Sequence, residues 1–372
     1  MIKVGITGQT GFMGTHLFNF LGLQKDIERV PFKDEYFSSE NELQNFVKQC
    51  DAIVHLAAMN RHGDPQVIYD TNIKLVEQLL QACDATHSIP HILFSSSTQE
   101  NRGNLYGKSK LDGRKMLENW SKKNGAVFTG LIIPNVYGPF GNPYYNSFIA
   151  TFCHQLTHNE EPKIEIDGSV KLIYVGELVQ IFHQIIKEGS KSVSLFPVEH
   201  TKEITVSQVL EILKKYKSDY FEKGIIPDLN DSFRKNLFNT FLCYIDHETF
   251  FPFNLKSNTD TRGSFVETMK LNSGGQVSFS TTVPGITRGN HFHTRKAERF
   301  AVIKGQARIE LRRIGTDKVL SFELDGKEPA FVDMPVWFTH NITNIGDEEL
   351  FTIFWINEHY NAEDPDTFFE NV

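Results

Sequence analysis

Cysteine is scarce in this chain. Cys50, Cys83, Cys153 and Cys243 lie far apart and make no paired spacing for a disulfide framework or a zinc ribbon. A reducing compartment, the cytoplasm, is the simplest home for such a protein. Long apolar runs are missing as well. No stretch nears the roughly 18 apolar residues of a membrane-crossing helix, and the first residues lack the charged-then-apolar pattern of a secretion signal. Nor is there a basic stripe. Lys and Arg number 38 against 46 Asp and Glu, a net charge of -8, which argues against a partner held by its phosphate backbone. Neither membrane nor nucleic acid is expected as a partner.

What is present falls into two textures. At 372 residues, and about 100–200 residues per domain, the chain has room for two domains. In its first half short apolar runs (2–8, 52–58, 91–97, 128–134) alternate with amphipathic segments such as 67–83. That alternation predicts an α/β domain built on a doubly wound parallel sheet. From about Leu178 to Leu242 the text reads as helical. After about Phe253 short alternating strands separated by Gly, Asn, Asp and Pro take over, which suggests an all-β sandwich or barrel. The expected division is 1–252 and 253–372.

The opening strand runs into Gly8, Gly11 and Gly14, spaced TGxxGxxG, with Phe12 and Met13 between the last two. Glycines there let the backbone turn sharply and approach a pyrophosphate seated on the next helix's amides. Leu56, Ala57 and Ala58 follow another buried strand. Lys33, near the end of the second strand, is a partner for a 2′-phosphate, which favours NADPH, although Asp34 beside it is the acidic type used for NAD. Tyr106 and Lys110 are spaced Tyr-x-x-x-Lys, one helical face. A lysine charge there is expected to lower the phenol's pKa and suit it to proton transfer. The serine run 95–97 ends a strand where a hydroxyl could orient a carbonyl.

In this order the features resemble the extended short-chain dehydrogenase/reductase family over roughly residues 1–250. The matching residues are the three glycines, 55-HLAA-58, Asn72, the serines, Tyr106, Lys110 and 134-PNVYGP-139. The resemblance implies a Rossmann fold and hydride transfer from nicotinamide to a ketone of a nucleotide-linked sugar. Tyr106 would protonate the alkoxide. The family's serine falls on Ser97, with Ser96 or Thr98 as alternatives, because only eight residues separate Ser97 from Tyr106. Arg61, Asn135 and Asn146 are candidates for substrate contact; each is equally readable as a loop-stabilising polar residue.

The second half carries G-x5-H-x-H-x4-E-x6-G through His291, His293, Glu298 and Gly305, with His340 further on. Alternation in a strand points His291 and His293 to one side. Three imidazoles and a carboxylate suit a divalent metal, zinc first among them. The pattern resembles the cupin family, a small jelly roll, although Trp337 stands where its second motif has glycine. With 260-DTRGSFVE-267 and 288-RGNHF-292 it is also similar to the epimerases of dTDP-4-keto-6-deoxyhexoses. By that resemblance Arg262 and Arg288 contact substrate or pyrophosphate, and strand-edge salt bridges are their plain alternative. In the metal-free epimerases the histidine matching His291 is the base. A metal-bound nitrogen has no lone pair to spare, so with metal present the base would come from Lys296, Glu358, His359 or Tyr360, or the metal would polarise the ketone.

Both halves together resemble a narrow group of bifunctional capsular polysaccharide enzymes that make UDP-2-acetamido-2,6-dideoxy-L-talose on the route to N-acetyl-L-fucosamine. The resemblance implies a UDP-linked 4-keto-6-deoxy amino sugar as substrate, inverted at carbon 3 and then reduced at carbon 4. Since only the ketone acidifies the proton on carbon 3, inversion must precede reduction. A homodimer is implied by the pairing habits of cupins. The rival reading is a reductase whose cupin is a metal-stabilised binding or dimerisation module.

Overall fold

The computed structural model describes residues 1–189 and 192–372. In chain order the elements are β1 (Ile2–Thr7), α1 (Phe12–Leu21), β2 (Ile27–Val30), α2 (Glu40–Gln49), β3 (Ala52–His55), α3 (Pro65–Thr86), β4 (His91–Ser97), α4 (Leu105–Asn124), β5 (Phe128–Ile133), β6 (Asn135–Tyr137), α5 (Phe148–Thr157), β7 (Ser169–Tyr174), α6 (Val175–Glu188), β8 (Val193–Pro197), β9 (Lys202–Thr205), α7 (Val206–Tyr216), α8 (Ser232–Leu242) and α9 (His247–Phe250). Only strands follow: β10 (Phe253–Asn254), β11 (Ser257–Asp260), β12 (Gly263–Val266), β13 (Gln276–Thr282), β14 (Thr287–Phe292), β15 (Glu298–Lys304), β16 (Gln306–Arg313), β17 (Val319–Asp325), β18 (Ala330–Met334), β19 (Phe338–Asn344), β20 (Leu350–Ile356) and β21 (Phe368–Phe369). Two compact units result. One comprises Met1–Tyr137, Gly141–Phe148 and Ser169–Ile204; the other comprises Gly138–Phe140, Ile149–Gly168 and Thr205–Val372.

The first unit holds the doubly wound sheet, in the order β2-β1-β3-β4-β5-β8 and parallel throughout. Ile53, Ile92, Phe94 and Phe128 on its strands pack with Leu79 and Leu117 of α3 and α4. The strand order reverses at β1, so the carboxyl ends of β1 and β3 frame the crevice where open α/β sheets take ligands. The 178–242 segment is not wholly helical. It also contains β8 and β9, which are too short to print a period of two. What makes β8 a strand is its pairing to β5, from Phe128↔Val193 to Ile132↔Pro197.

The second unit contains two five-stranded sheets, β10-β18-β15-β20-β13 and β17-β16-β19-β14-β21. Their inner faces meet through Ala301, Val302, Ile309, Leu311, Phe331 and Ile342. This is the jelly-roll arrangement expected of a cupin. Buried Arg299 makes a two-pronged pair with Asp333 (2.7 and 2.9 Å), lies over the Phe331 ring and donates to the Gly224 carbonyl. Tyr220 completes the cluster by donating to Asp333 at 2.6 Å.

Candidate functional site

In the first unit, β1 ends in a turn that needs glycine. Gly8 has φ +69°, a left-handed value that side chains disfavour. A Cβ on Gly14 would sit 2.1 Å from the Gly8 carbonyl oxygen, so α1 begins closer to the turn than any other residue permits. Gly11 caps α1 without a side-chain hydrogen bond, leaving the first amides free for an anion. Phe12 and Met13, half-buried, form the first turn, and Leu56, Ala57 and Ala58 close the opposite side after β3. This cradle fits a dinucleotide. Lys33 is exposed, and no carboxylate among the described residues pairs with it. Asp34 instead accepts from the Thr10 hydroxyl at 2.9 Å, tying the end of β2 to the glycine loop.

Helix α4 starts at the Asn104 cap, whose side chain accepts from the Gly107 amide. It presents Tyr106 and Lys110 on one face, the Lys110 ammonium 5.9 Å from the Tyr106 ring centre. Burial pushes the Tyr106 hydroxyl up to about 12, with Tyr145 adding to the rise. The lowering expected from the lysine is not found: burial dominates at Tyr106, and burial also brings Lys110 itself down to about 8. Tyr106 therefore holds its proton at neutral pH and is set as a donor.

The three serines separate by partner. Ser95 donates to the His55 carbonyl and accepts Lys110 Nζ on its own carbonyl at 3.0 Å. Ser96 donates to Glu100, which also takes a two-pronged bond from Arg114 (2.7 and 2.8 Å). Ser97 only accepts, from the Gln99 amide at 3.2 Å, so its hydroxyl proton remains available. Glu100 and Arg114 were not legible as site residues; their role is to hold the strand-to-helix connection. Of the candidates for substrate contact, Arg61 is bonded to the stretch of chain that carries Asn146. Arg61 donates to the carbonyls of Tyr144 and Tyr145 at 2.8 and 3.1 Å, Asn135 donates to the Lys171 carbonyl, and Asn146 is exposed.

In the second unit, β14 and β19 pair antiparallel with a bulge between Gly289 and His291 that places His291 opposite His340. Asn290 takes the left-handed turn of that bulge, with φ +59°. β14 ends at Phe292, so His293 lies just past it, and Glu298 opens β15. One donor atom from each of His291, His293, Glu298 and His340 lies within 4.8 Å of all the others. His293 Nδ1 faces the Asp366 carbonyl and His340 Nδ1 faces the Phe338 carbonyl. A carbonyl only accepts, so both Nδ1 atoms carry the proton and both Nε2 atoms turn inward to Glu298 (3.4 and 3.1 Å). Buried His293 Nε2 has no hydrogen-bond partner. Two inward lone pairs beside a carboxylate ask for a cation, and the donor set fits a divalent one such as zinc. Burial, then the neighbouring His340 and His293, bring His291 down to about 4.

Trp337 adopts the left-handed turn usual for glycine (φ +64°), stacks on Phe292 and donates its amide to the His293 carbonyl at 2.8 Å. Lys296 is buried with Nζ on the Pro365 carbonyl at 2.6 Å. Glu358 is paired with Lys235 and Arg295, while His359 and Tyr360 are exposed. Arg262 pairs with Asp260 across an exposed hairpin turn. Arg288 is exposed on β14 opposite Ile342 of β19.

Residues 4–195 match the model of the NAD dependent epimerase/dehydratase family. The chain belongs to that family. Residues 258–368 match a second family, the polysaccharide biosynthesis C-terminal domain. This epimerase/dehydratase chain is 32% identical to the UDP-2-acetamido-2,6-beta-L-arabino-hexul-4-ose reductase of Pseudomonas aeruginosa, across 99% of its own length and 98% of the relative's. The capsular polysaccharide assembling protein CapF from Staphylococcus aureus is 34% identical with a TM-score of 0.64, each chain covered fully. RMD from Pseudomonas aeruginosa, solved with NADPH, shares the fold at 20% identity and a TM-score of 0.53, over 59% of this chain and 84% of that one. Among the described residues, no helix is long and apolar enough to cross a membrane.

Proposed function

We propose that this chain is a two-step enzyme of capsular polysaccharide precursor synthesis. Its region 253–372 epimerises carbon 3 of a UDP-2-acetamido-2,6-dideoxy-4-hexulose, and its region 1–252 reduces the 4-ketone to UDP-2-acetamido-2,6-dideoxy-L-talose. The observation that carries the reading is the presence, in one chain, of a unit holding both a protonated Tyr106 and a nucleotide cradle, and of a convergent His/Glu cluster. The full-length likeness to a hexul-4-ose reductase supports the substrate class.

NADPH supplies the hydride when bound at the glycine turn, and unpaired Lys33 favours its 2′-phosphate. Ser97 donates a hydrogen bond to the C4 oxygen, and Tyr106 gives that oxygen its proton as negative charge develops there. Lys110, held by the Ser95 carbonyl, positions the tyrosine. In the second region His291, His293, Glu298 and His340 would hold a divalent ion, zinc by donor type, whose chemistry there is to polarise a carbonyl or to fix the fold. Arg262 and Arg288, both exposed, are the groups offered to the diphosphate. Work in the cytoplasm and a homodimer belong to the same proposal. Exposed Val277 and Phe279 on edge strand β13 support the dimer.

One observation favours the rival, a reductase whose cupin is a metal-stabilised module. The nominated bases are engaged or exposed: Lys296 is fixed on a carbonyl, Glu358 sits in ion pairs, and His359 and Tyr360 face outward. Incubating the UDP-4-ketosugar in deuterium oxide with the nicotinamide omitted separates the two. Deuterium entering carbon 3 is expected; its absence sinks the epimerase. Adding NADPH should then yield the talo product, read by NMR.

A further inference from the structure

Asp366 lies near the end of the chain, in a segment 359–367 that forms no helix or strand, and nothing in its own sequence neighbourhood marks it. Its carboxylate is nevertheless buried, with the residue only 4% exposed. Three successive main-chain amides converge on it. Thr294 N lies 3.1 and 3.3 Å from its two oxygens, Arg295 N 3.0 Å and Lys296 N 3.2 Å from Oδ2. The Thr294 hydroxyl adds a bond of 2.6 Å to Oδ1. Consecutive amides around one anion form a nest. Those residues are the loop that joins His293 to Glu298.

The same residue acts on the ligand through its main chain. The Asp366 carbonyl accepts the Nδ1 proton of His293, and the preceding Pro365 carbonyl accepts Lys296 Nζ. Two residues on, β21 pairs with β14 at His291↔Phe369 and Phe292↔Phe368. The tail is thus stitched to the strand bearing His291 on one side and to the loop after His293 on the other. Asp366 has φ +43°, a conformation that Asp, Asn and Gly accept more readily than other residues. An ionised carboxylate accepts all four donors, whereas an asparagine would aim its own N–H groups at some of them.

We infer that Asp366 is a positioning residue for the metal group: its carboxylate clamps the 294–296 loop so that its carbonyl fixes His293 as the Nδ1–H tautomer, with Nε2 presented to the ion. This rests on the metal-binding reading above. The tail therefore supplies the outer support that ligating histidines use to hold their orientation.

The test uses the full-length protein stripped of metal, with Asp366→Asn and Asp366→Gly, which both keep the left-handed backbone accessible. Zinc affinity is read by competition with a chromophoric chelator, and the His293 tautomer by long-range proton–nitrogen NMR of the metal-free protein. Both variants should lose about tenfold to a hundredfold in zinc affinity and lose the Nδ1–H signature, while NADPH binding is unchanged. Thr294→Val, which removes one of the four bonds, should weaken zinc in the same direction by roughly threefold to tenfold; it keeps the question answerable if the Asp366 variants fold poorly. Wild-type affinity and tautomer in every variant would overturn the inference. A wild-type protein that binds no zinc, yet whose His293 tautomer depends on Asp366, would remove the metal reading and leave the positioning role standing.

Discussion

Lys110 Nζ donates to the main-chain carbonyl of Ser95 at 3.0 Å, and no carboxylate among the described residues pairs with it. The ammonium is buried in the first unit with an uncharged acceptor, and burial brings its pKa from the ordinary 10.5 to about 8. Placed one helical turn from Tyr106, this buried ammonium is held at a cost to the fold.

That cost is measurable. Below about pH 8 the unfolded chain and the folded chain both carry the lysine proton, and the folded one carries it in an unfavourable place. Between about 8 and 10.5 the unfolded chain binds more protons, so stability rises with pH across this window. Lys110→Met should therefore stabilise the cofactor-free protein at pH 7 by up to roughly 3 kcal/mol while removing ketone reduction. Urea unfolding at pH 7 and pH 10 checks it: the advantage of the variant should shrink at the higher pH.

Ser97→Ala is expected to cut kcat for ketone reduction by about a hundredfold to a thousandfold, the loss of one donor to a developing oxyanion, with NADPH affinity preserved. Ser96→Ala removes a bond to Glu100 that Arg114 continues to hold, so it should cost about 1 kcal/mol of stability and little rate. Steady-state kinetics on both variants decides between the serines; equal losses would assign the role to neither.

Gly14→Ala forces a methyl group to within 2.1 Å of the Gly8 carbonyl oxygen. The turn must open, and NADPH affinity, followed by nicotinamide fluorescence, should fall at least about tenfold. Zinc content measured on the same preparation should not change.

Asp333→Ala leaves the Arg299 guanidinium, 1% exposed, without its counter-charge. A loss of roughly 3–5 kcal/mol is expected, seen as a drop in the unfolding midpoint. Tyr220→Phe deletes a single bond to the same carboxylate and should cost nearer 1 kcal/mol. A midpoint indifferent to both changes would mean that the pair is solvated in solution.

The features legible in the sequence are those whose geometry is local. Gly8, Gly11 and Gly14 act within one turn, Tyr106 and Lys110 within one turn of helix, and His291 and His293 within three residues. Local periods also announced the parallel sheet and the later change to short strands. Edge strand β8 was not legible, because Val193–Pro197 becomes a strand by pairing with β5 rather than by its own pattern.

By itself, then, the sequence determined which residue types this protein brings to its chemistry and the two kinds of fold that carry them. The tertiary structure decided what surrounds each group. Burial set Tyr106 above its ordinary pKa and Lys110 below, against the expectation from their mutual charge. Sheet register and a bulge brought His340 opposite His291. Within the serine run, Ser95 and Ser96 donate to neighbours while Ser97 only accepts, a difference the sequence does not record. Asp366 stayed silent because its partners are almost all main-chain groups, which every residue carries and no sequence pattern records.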